Sequence, residues 1–244
     1  MDKIYAAAII LGAGKGTRMK SDLPKVMMPV AGKPMVRHII DTLENMGISR
    51  IVTVISQEGE MVKQEVNPYP TAVQSEQLGT GHAVKCARDE LNGFDGPVLV
   101  VFGDTPLITP ATFLKIIEKI KEGYAVTVLG FTPHDAGRYG RLKMNNAELV
   151  GIVEYKDASD EERAITFCNS GCMGFDGKYL FHILDKINNE NAAKEYYLTD
   201  AVKIAREMGL KCTAIEGRPE EVASANTREE LAELEKFYRD RNSW

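Results

Sequence analysis

Along the first 131 residues, short apolar runs alternate with stretches of helical spacing, and this rhythm constrains the fold more than any other feature. The run IYAAAIIL (residues 4–11) has too few polar positions for a half-exposed strand and reads as a strand covered on both faces. PMVRHIIDTLENMG follows as a helix, with Pro34 in its first turn, Gly47 closing it, and Met35, Val36, Ile39, Ile40 and Leu43 on one face. Then come RIVTVIS as a strand, EGEMVKQEV as a short helix, a strand around TAVQ, and GHAVKCARDEL as a helix. GPVLVVFGD reads as a strand, PATFLKIIEKIKEG as a helix capped by Thr109, and YAVTVLGF as a strand. Strand, helix, strand in this succession implies an α/β fold with a mostly parallel central sheet between helical layers. Past Phe131 the pattern changes. GRLKMNNAELVGIVEYKD reads as a hairpin turning at NNAE, CNSGCMGFD as a strand, and GKYLFHILDKI and LTDAVKIAREMG as helices. The tail NTREELAELEKFYRDRNSW reads as one helix with a weak apolar stripe of Leu231, Leu234 and Tyr238. The expected organisation is one domain over 1–226 and a C-terminal helical arm over 227–244.

Charge narrows the partners. With 30 basic and 35 acidic side chains the net charge is −5, which argues against nucleic acid or an anionic membrane as the main partner. A small anionic ligand stays compatible, because a local basic loop can sit on an acidic protein. No apolar run approaches the roughly 20 residues of a membrane span. The apolar start flows into a Gly/Lys/Arg loop without a cleavage signal, so it is a strand rather than a leader. The four cysteines (Cys86, Cys168, Cys172, Cys212) lack a disulfide or zinc-knuckle framework and fit reduced thiols in the cytoplasm.

The loop LGAGKGTRMKSDLPK leaves the first strand with three glycines and four basic residues in fifteen positions. Glycine permits a tight turn and lets backbone N–H groups approach an anion, which makes this a phosphate-binding arrangement. Two familiar templates fail. A dinucleotide-binding fingerprint or a P-loop counted from Gly12 would require glycine at position 17, where this chain has Thr17. What remains is G-x-G-x-G-T-R, six further residues and Lys25 after Pro24. Pro24 biases Leu23 toward extended backbone, so Arg18 and Lys25 can converge on a chain of phosphates. Asp104 ends an apolar strand in VVFGDTP, where a carboxylate of a parallel sheet faces the ligand crevice and suits a hard cation. The Gln74 amide, in QSEQLGTG, offers the donor and acceptor a base edge needs, although the same stretch also fits a plain loop capped by Thr80. The four histidines (His38, His82, His134, His182) are scattered and read as structural or exposed.

The stretch LGAGKGTRM…LPKVMMPVAGKPM resembles the signature of the sugar-phosphate nucleotidyltransferases. QSEQLGTGHAV, FGDTPLI, YGR, GIVEYKDAS, NSG, EYYLTD and ASANTREEL occur in the order found in bacterial N-acetylglucosamine-1-phosphate uridyltransferases, in the N-terminal half of the enzyme that also acetylates glucosamine 1-phosphate. The resemblance spans nearly the whole chain. It implies a Rossmann-like, glycosyltransferase-A-like α/β/α nucleotidyltransferase fold plus a C-terminal helix. It also implies transfer of UMP from UTP to N-acetylglucosamine 1-phosphate, giving UDP-N-acetylglucosamine, a precursor of peptidoglycan and lipopolysaccharide, with release of pyrophosphate. The nucleophile is already an anion, so the protein must supply positive charge and alignment rather than a base.

On that resemblance Arg18 and Lys25 are the catalytic cations. Leu11, Gly12, Ala13, Gly14, Lys25, Gln74, Gly79, Thr80 and Gly103 hold the nucleotide. Gly140, Glu154, Asn169, Tyr197 and Thr199 hold the sugar. Mg²⁺ is the implied cofactor, with Asp104 and Asn226 as ligands; by composition alone Asn226 competes with Thr227 for a helix cap. The family's left-handed β-helix acetyltransferase half is not expected here, so acetyl transfer is not expected, and self-association is open with a trimer in doubt. Alternatives from the same residues are uridylyl or thymidylyl transfer to glucose 1-phosphate or another sugar 1-phosphate, a cytidylyl- or molybdenum-cofactor nucleotidyltransferase, and a non-catalytic sensor of UDP-sugars.

Overall fold

A computed structural model describes residues 3–14, 21 and 23–242. The elements run β1 (Ile4–Leu11), β2 (Pro29–Val30), β3 (Lys33–Pro34), α1 (Met35–Asn45), β4 (Ile48–Ser56), α2 (Glu60–Val66), β5 (Thr71–Gln74), α3 (Thr80–Cys86), β6 (Pro97–Phe102), α4 (Pro110–Lys121) and β7 (Val126–Phe131). The second part adds β8 (Arg141–Asn145), β9 (Glu148–Val153), α5 (Asp160–Arg163), β10 (Cys168–Asp176), α6 (Gly177–Leu184), α7 (Asp200–Glu207), β11 (Cys212–Glu216) and α8 (Arg228–Asn242).

The main sheet has the order β11-β7-β10-β6-β1-β4-β5, with the β8–β9 hairpin attached to β10. β1 pairs in parallel with both β4 and β6, β4 with β5, and β7 with β11, whereas β10 runs antiparallel between β6 and β7. The expected mostly parallel sheet is therefore present. The chain steps from β1 toward β5 and then returns to place β6 on the other side of β1. That reversal puts a crevice at the C-terminal ends of β1 and β6, where open α/β sheets bind ligands.

β1 shows why both sheet faces are covered. Ala7, Ile9 and Leu11 enter one core with residues of α3, α6 and α7. Ala6, Ala8 and Ile10 enter the other with residues of α1, α2 and α4. Alternate side chains of a strand point to opposite faces, so a strand apolar at every position needs a core on each.

Three local features depart from the sequence expectation. The helix GHAVKCARDEL stops at Cys86 and resumes as a 3-10 turn over Asp89–Leu91, a change of direction that buries Leu91 and Phe94. Ser159–Arg163 closes a short helix by a capping box, the Ser159 hydroxyl accepting from Glu162 N–H while the Glu162 carboxylate accepts from Ser159 N–H. β11 was not anticipated and forms an edge strand beside β7. The tail helix α8 packs back on the domain: Leu234 is buried with Val30, Met35, Leu107 and Ala225, and Arg241 donates to the Leu107 carbonyl. Among the described residues no helix is long and apolar enough to cross a membrane.

Candidate active site

Two cavities open at the C-terminal ends of β1 and β6. The first, about 250 Å³, is lined by Leu11, Ala13, Gly14, Lys25, Gln74, Gly79, Thr80 and Asp104, all anticipated, and by Phe102, Gln77 and Glu195 among others. The second, about 330 Å³, is lined by Gly140, Glu154, Asn169, Tyr197 and Thr199, again anticipated, together with Arg138 and Tyr139. Thr80, Phe102 and Glu195 line both, so the two cavities share a wall. Gly12 and Gly103, also expected at the nucleotide, line neither cavity: Gly12 N–H donates to Val54 O (2.8 Å), and Gly103 N–H donates to Leu11 O (2.9 Å). A side chain at Gly103 would begin 2.8 Å from Val26 and 3.1 Å from the Leu11 carbonyl, so only glycine lets β1 and β6 close here. Arg18 lies outside the described residues.

The wall common to the cavities is built from two stretches far apart in sequence. Tyr196 N–H donates to Leu78 O and Gly81 N–H to Tyr196 O, each at 2.8 Å, and Leu198 N–H donates to the Thr80 hydroxyl at 3.0 Å. Gly79 has φ +115°, and a Cβ there would fall 2.7 Å from the Tyr196 carbonyl oxygen. Gly79, not Thr80, precedes the first turn of α3, and the Thr80 hydroxyl is spent on joining the two stretches. Gln77 donates to Ala13 O at 2.6 Å and ties the same loop to the glycine-rich segment.

Lys25 sits at the first turn of a 3-10 segment after Pro24, whose extended backbone (φ −53°, ψ 143°) redirects the chain. Its ammonium pairs with Asp104 and donates to Asn226 Oδ1 at 2.7 Å, across 201 residues of sequence. The cap competition at α8 is settled in favour of Thr227, whose hydroxyl accepts from Glu230 N–H at 3.2 Å. The Asn226 side chain is thereby released toward Lys25. One charged and one neutral oxygen thus converge on a single cation. That donor set fits a hard divalent ion, which takes one or two protein oxygens and completes its shell with water and phosphate. Asp104 and Asn226 are the residues that would hold it. Among the described residues no group of three His, Cys, Asp or Glu side chains forms a metal cluster.

Gln74 is buried, and its Nε2 donates to Gly79 O (3.1 Å) and lies 3.2 Å from His82 Nδ1. With Nε2 engaged, Oε1 is the atom left to accept from a ligand. In the second cavity Glu154 Oε1 accepts from the Thr199 hydroxyl at 2.9 Å, and Asn169 Oδ1 accepts from Gly171 N–H at 3.0 Å. Asn169 therefore offers its Nδ2 as a donor and Glu154 its Oε2 as an acceptor. Burial pushes the Glu154 carboxyl above the usual range, opposed by the Thr199 hydrogen bond and reinforced by Asp200, Asp157 and Glu195. Gly140 lies beside these groups: a Cβ there would stand 3.4 Å from Glu154 Oε2, in ordinary van der Waals contact. Because β10 is antiparallel, its N-terminal end lies at the same sheet edge as the C-terminal ends of β1 and β6, which is how Asn169 reaches the crevice.

Sequence reasoning missed Phe102, Glu195, Arg138 and Tyr139 as cavity residues. Glu195 lies inside EYYLTD, Tyr139 is the first residue of YGR and Arg138 immediately precedes it, so the motifs marked the neighbourhood without singling out these side chains. Phe102 is the last residue of β6, and strand-end position was its only signal.

Comparison with known proteins bears on the same architecture. A family model described as the MobA-like NTP transferase domain matches residues 8–240. The "Bifunctional protein GlmU" of Rhodospirillum rubrum is 53% identical over 231 residues, 94% of this chain and 52% of that protein. Its namesakes in Paramagnetospirillum magneticum (48% identical, 94% of this chain and 51% of that protein) and Roseobacter denitrificans (46%, 96% and 53%) are similar. The chain spans about half the length of the curated relatives it matches. Among solved structures, a Bacillus anthracis protein described as a glucose-1-phosphate thymidylyltransferase, crystallised with sucrose, superposes with a TM-score of 0.77 at 20% identity, covering 98% of this chain and 97% of that one. At that identity the likeness speaks to the fold alone.

Proposed function

The chain belongs to the MobA-like NTP transferase domain family, and from that premise we propose that it transfers UMP from UTP to N-acetylglucosamine 1-phosphate. An oxygen of the sugar phosphate forms a bond to the α-phosphorus of UTP while the bond to the pyrophosphate breaks. UDP-N-acetylglucosamine and pyrophosphate leave. The observation that carries this reading is the pair of cavities joined along Thr80, Phe102 and Glu195, with Lys25, Asp104 and Asn226 gathered beside the first. One room takes a nucleotide and the adjoining room a sugar.

In this reading Leu11 to Gly14 cradle the nucleotide, with Gly79, Thr80 and Gly103 shaping the base side. Gln74 Oε1 accepts from the uracil N3–H; cytosine presents an acceptor at that atom and would be rejected. Glu154 and Asn169 read the sugar hydroxyls and the acetamido group, with Gly140, Tyr197 and Thr199 around them. Lys25 and Arg18 supply positive charge to the phosphates. Losing one such contact costs roughly 2–4 kcal/mol of transition-state stabilisation. Asp104 and Asn226 would hold Mg²⁺, which when bound offsets phosphate charge as two polyanions approach. We place the domain at residues 1–226, followed by the helical segment 227–244, and the site of action in the cytoplasm.

The test is pyrophosphate release from UTP and N-acetylglucosamine 1-phosphate with Mg²⁺, comparing the wild type with Lys25→Ala and Asp104→Ala. Release that needs the sugar phosphate and collapses in both variants supports the proposal. Preference for glucose 1-phosphate would move the substrate, turnover with CTP or GTP but not UTP would move the nucleotide, and tight UDP-sugar binding without turnover would favour a sensor.

A further inference from the structure

Resting on that reading, we infer that Arg138 is the residue that binds the phosphate of the sugar 1-phosphate and sets the affinity for this substrate. The second cavity is lined by two carboxylates, Glu154 and Glu195, and by one basic side chain among the described residues, Arg138. Carboxylates suit sugar hydroxyls but repel a phosphate dianion. Among the described residues that line the first cavity the basic one is Lys25, whose ammonium is held by Asp104 and Asn226. Arg138 is placed to offer a dianionic second substrate a cation from the sugar side, in addition to the charge that Lys25 and Arg18 bring to the nucleotide phosphates.

The backbone that carries Arg138 is held as a binding loop is held. Arg141, 2% exposed, directs its guanidinium to the carbonyls on either side: Ala136 (3.2 Å), Gly137 (3.0 Å) and Tyr139. It also donates to Arg163 O at 3.3 Å. Gly137 N–H donates to Asp135 Oδ1 (2.9 Å), and Asn169 N–H donates to Gly140 O (2.8 Å). The Tyr139 ring stands edge-on to Phe131 with centroids 4.9 Å apart. A buried arginine that spends its guanidinium on three carbonyls of one short loop fixes where that loop lies. Arg138 projects from this fixed loop, exposed, with no acidic partner among the described residues. A planar guanidinium matches phosphate by paired N–H donors, and pre-set backbone lowers the entropy lost on binding.

The test is steady-state kinetics of Arg138→Met and Arg138→Lys, varying each substrate in turn. Loss of one charge-assisted contact should raise the KM for the sugar 1-phosphate roughly ten- to hundredfold in Arg138→Met. The KM for UTP should stay within about twofold, and Arg138→Lys should recover part of the loss. Two inhibitors separate phosphate from ring recognition. Inorganic phosphate should compete with the sugar 1-phosphate in the wild type and lose potency in Arg138→Met, whereas uncharged N-acetylglucosamine should inhibit both alike. Turnover by the wild type with an unchanged sugar-phosphate KM in Arg138→Met overturns this inference alone. Equal weakening of N-acetylglucosamine and phosphate also overturns it. No turnover by the wild type with any sugar 1-phosphate removes the functional reading and the inference together.

Discussion

Replacing Lys25 by methionine removes the ammonium from between Asp104 and Asn226 while keeping most of the side-chain stem. Asp104 then keeps its charge without its partner. Breaking a fully buried ion pair costs about 3–5 kcal/mol. Here the two side chains are 14% and 16% exposed and border an open cavity, so water reaches the orphaned carboxylate. We expect a loss of about 1–2 kcal/mol, which for a chain of this size is a fall in Tm of roughly 2–8 °C. The ligand-free protein should then respond differently to Mg²⁺. In the wild type the ion has to displace the ammonium from Asp104; in Lys25→Met that ammonium is gone. At a tenfold excess over Kd the variant should gain about 1.4 kcal/mol, or roughly 3–6 °C. The wild type should gain less, by about the energy its own ion pair gives up. Differential scanning fluorimetry across a MgCl₂ series, without nucleotide, reads this directly, and Lys25→Met combined with Asp104→Asn should show no rise. An equal Mg²⁺ shift in wild type and Lys25→Met, or none in the variant, would refute the view that one cation seat serves both the ammonium and the metal.

Gly79→Ala forces a side chain onto a φ of +115° and against the Tyr196 backbone; a loss of about 1–3 kcal/mol from the backbone alone should lower the urea midpoint, and prising the shared wall apart should raise the KM for UTP. Glu154→Gln should be more stable than the wild type at neutral pH. The native state holds the Glu154 proton above its ordinary value of 4.5, so as pH rises from there through the raised value the native state binds more protons than the unfolded chain and stability falls. Thermal melts from pH 4 to 8 should show the variant's advantage growing with pH and vanishing at pH 4, while its KM for the sugar phosphate rises.

The parallel half of the fold was legible because its strands are apolar at every position and its helices carry caps and breakers: Thr109 accepts from Thr112 N–H as a cap should, and Gly47 takes φ +74° where α1 ends. Asp104 was legible for the same reason, since a strand end is a place the sequence marks. Contacts that close over long separations left no local mark. Nothing near Lys25 announces Asn226, whereas the Thr227-x-x-Glu230 spacing is itself a local cap signal, and the Thr227 hydroxyl accepts from Glu230 N–H. β11 was missed because CTAIE is short and gains its place by pairing with β7. Arg138 reads as any charged loop residue until Arg141 is seen to hold the loop around it.

The reach from Lys25 to Asn226 also has a meaning in time. The first 102 residues already contain β5, β4, β1 and β6, four adjacent parallel strands that can assemble as the chain emerges. The glycine-rich loop and Lys25 come out with them. Asn226 follows Asp104 by 122 residues, and at ribosomal rates of about 5–20 residues per second that is a delay of roughly 6–24 s. During that interval Lys25 faces Asp104 alone, and the second cavity is still missing Asn169, Tyr197 and Thr199. Four adjacent strands can therefore be in place before the candidate site is complete, and its last parts are the far strands and the residue at 226.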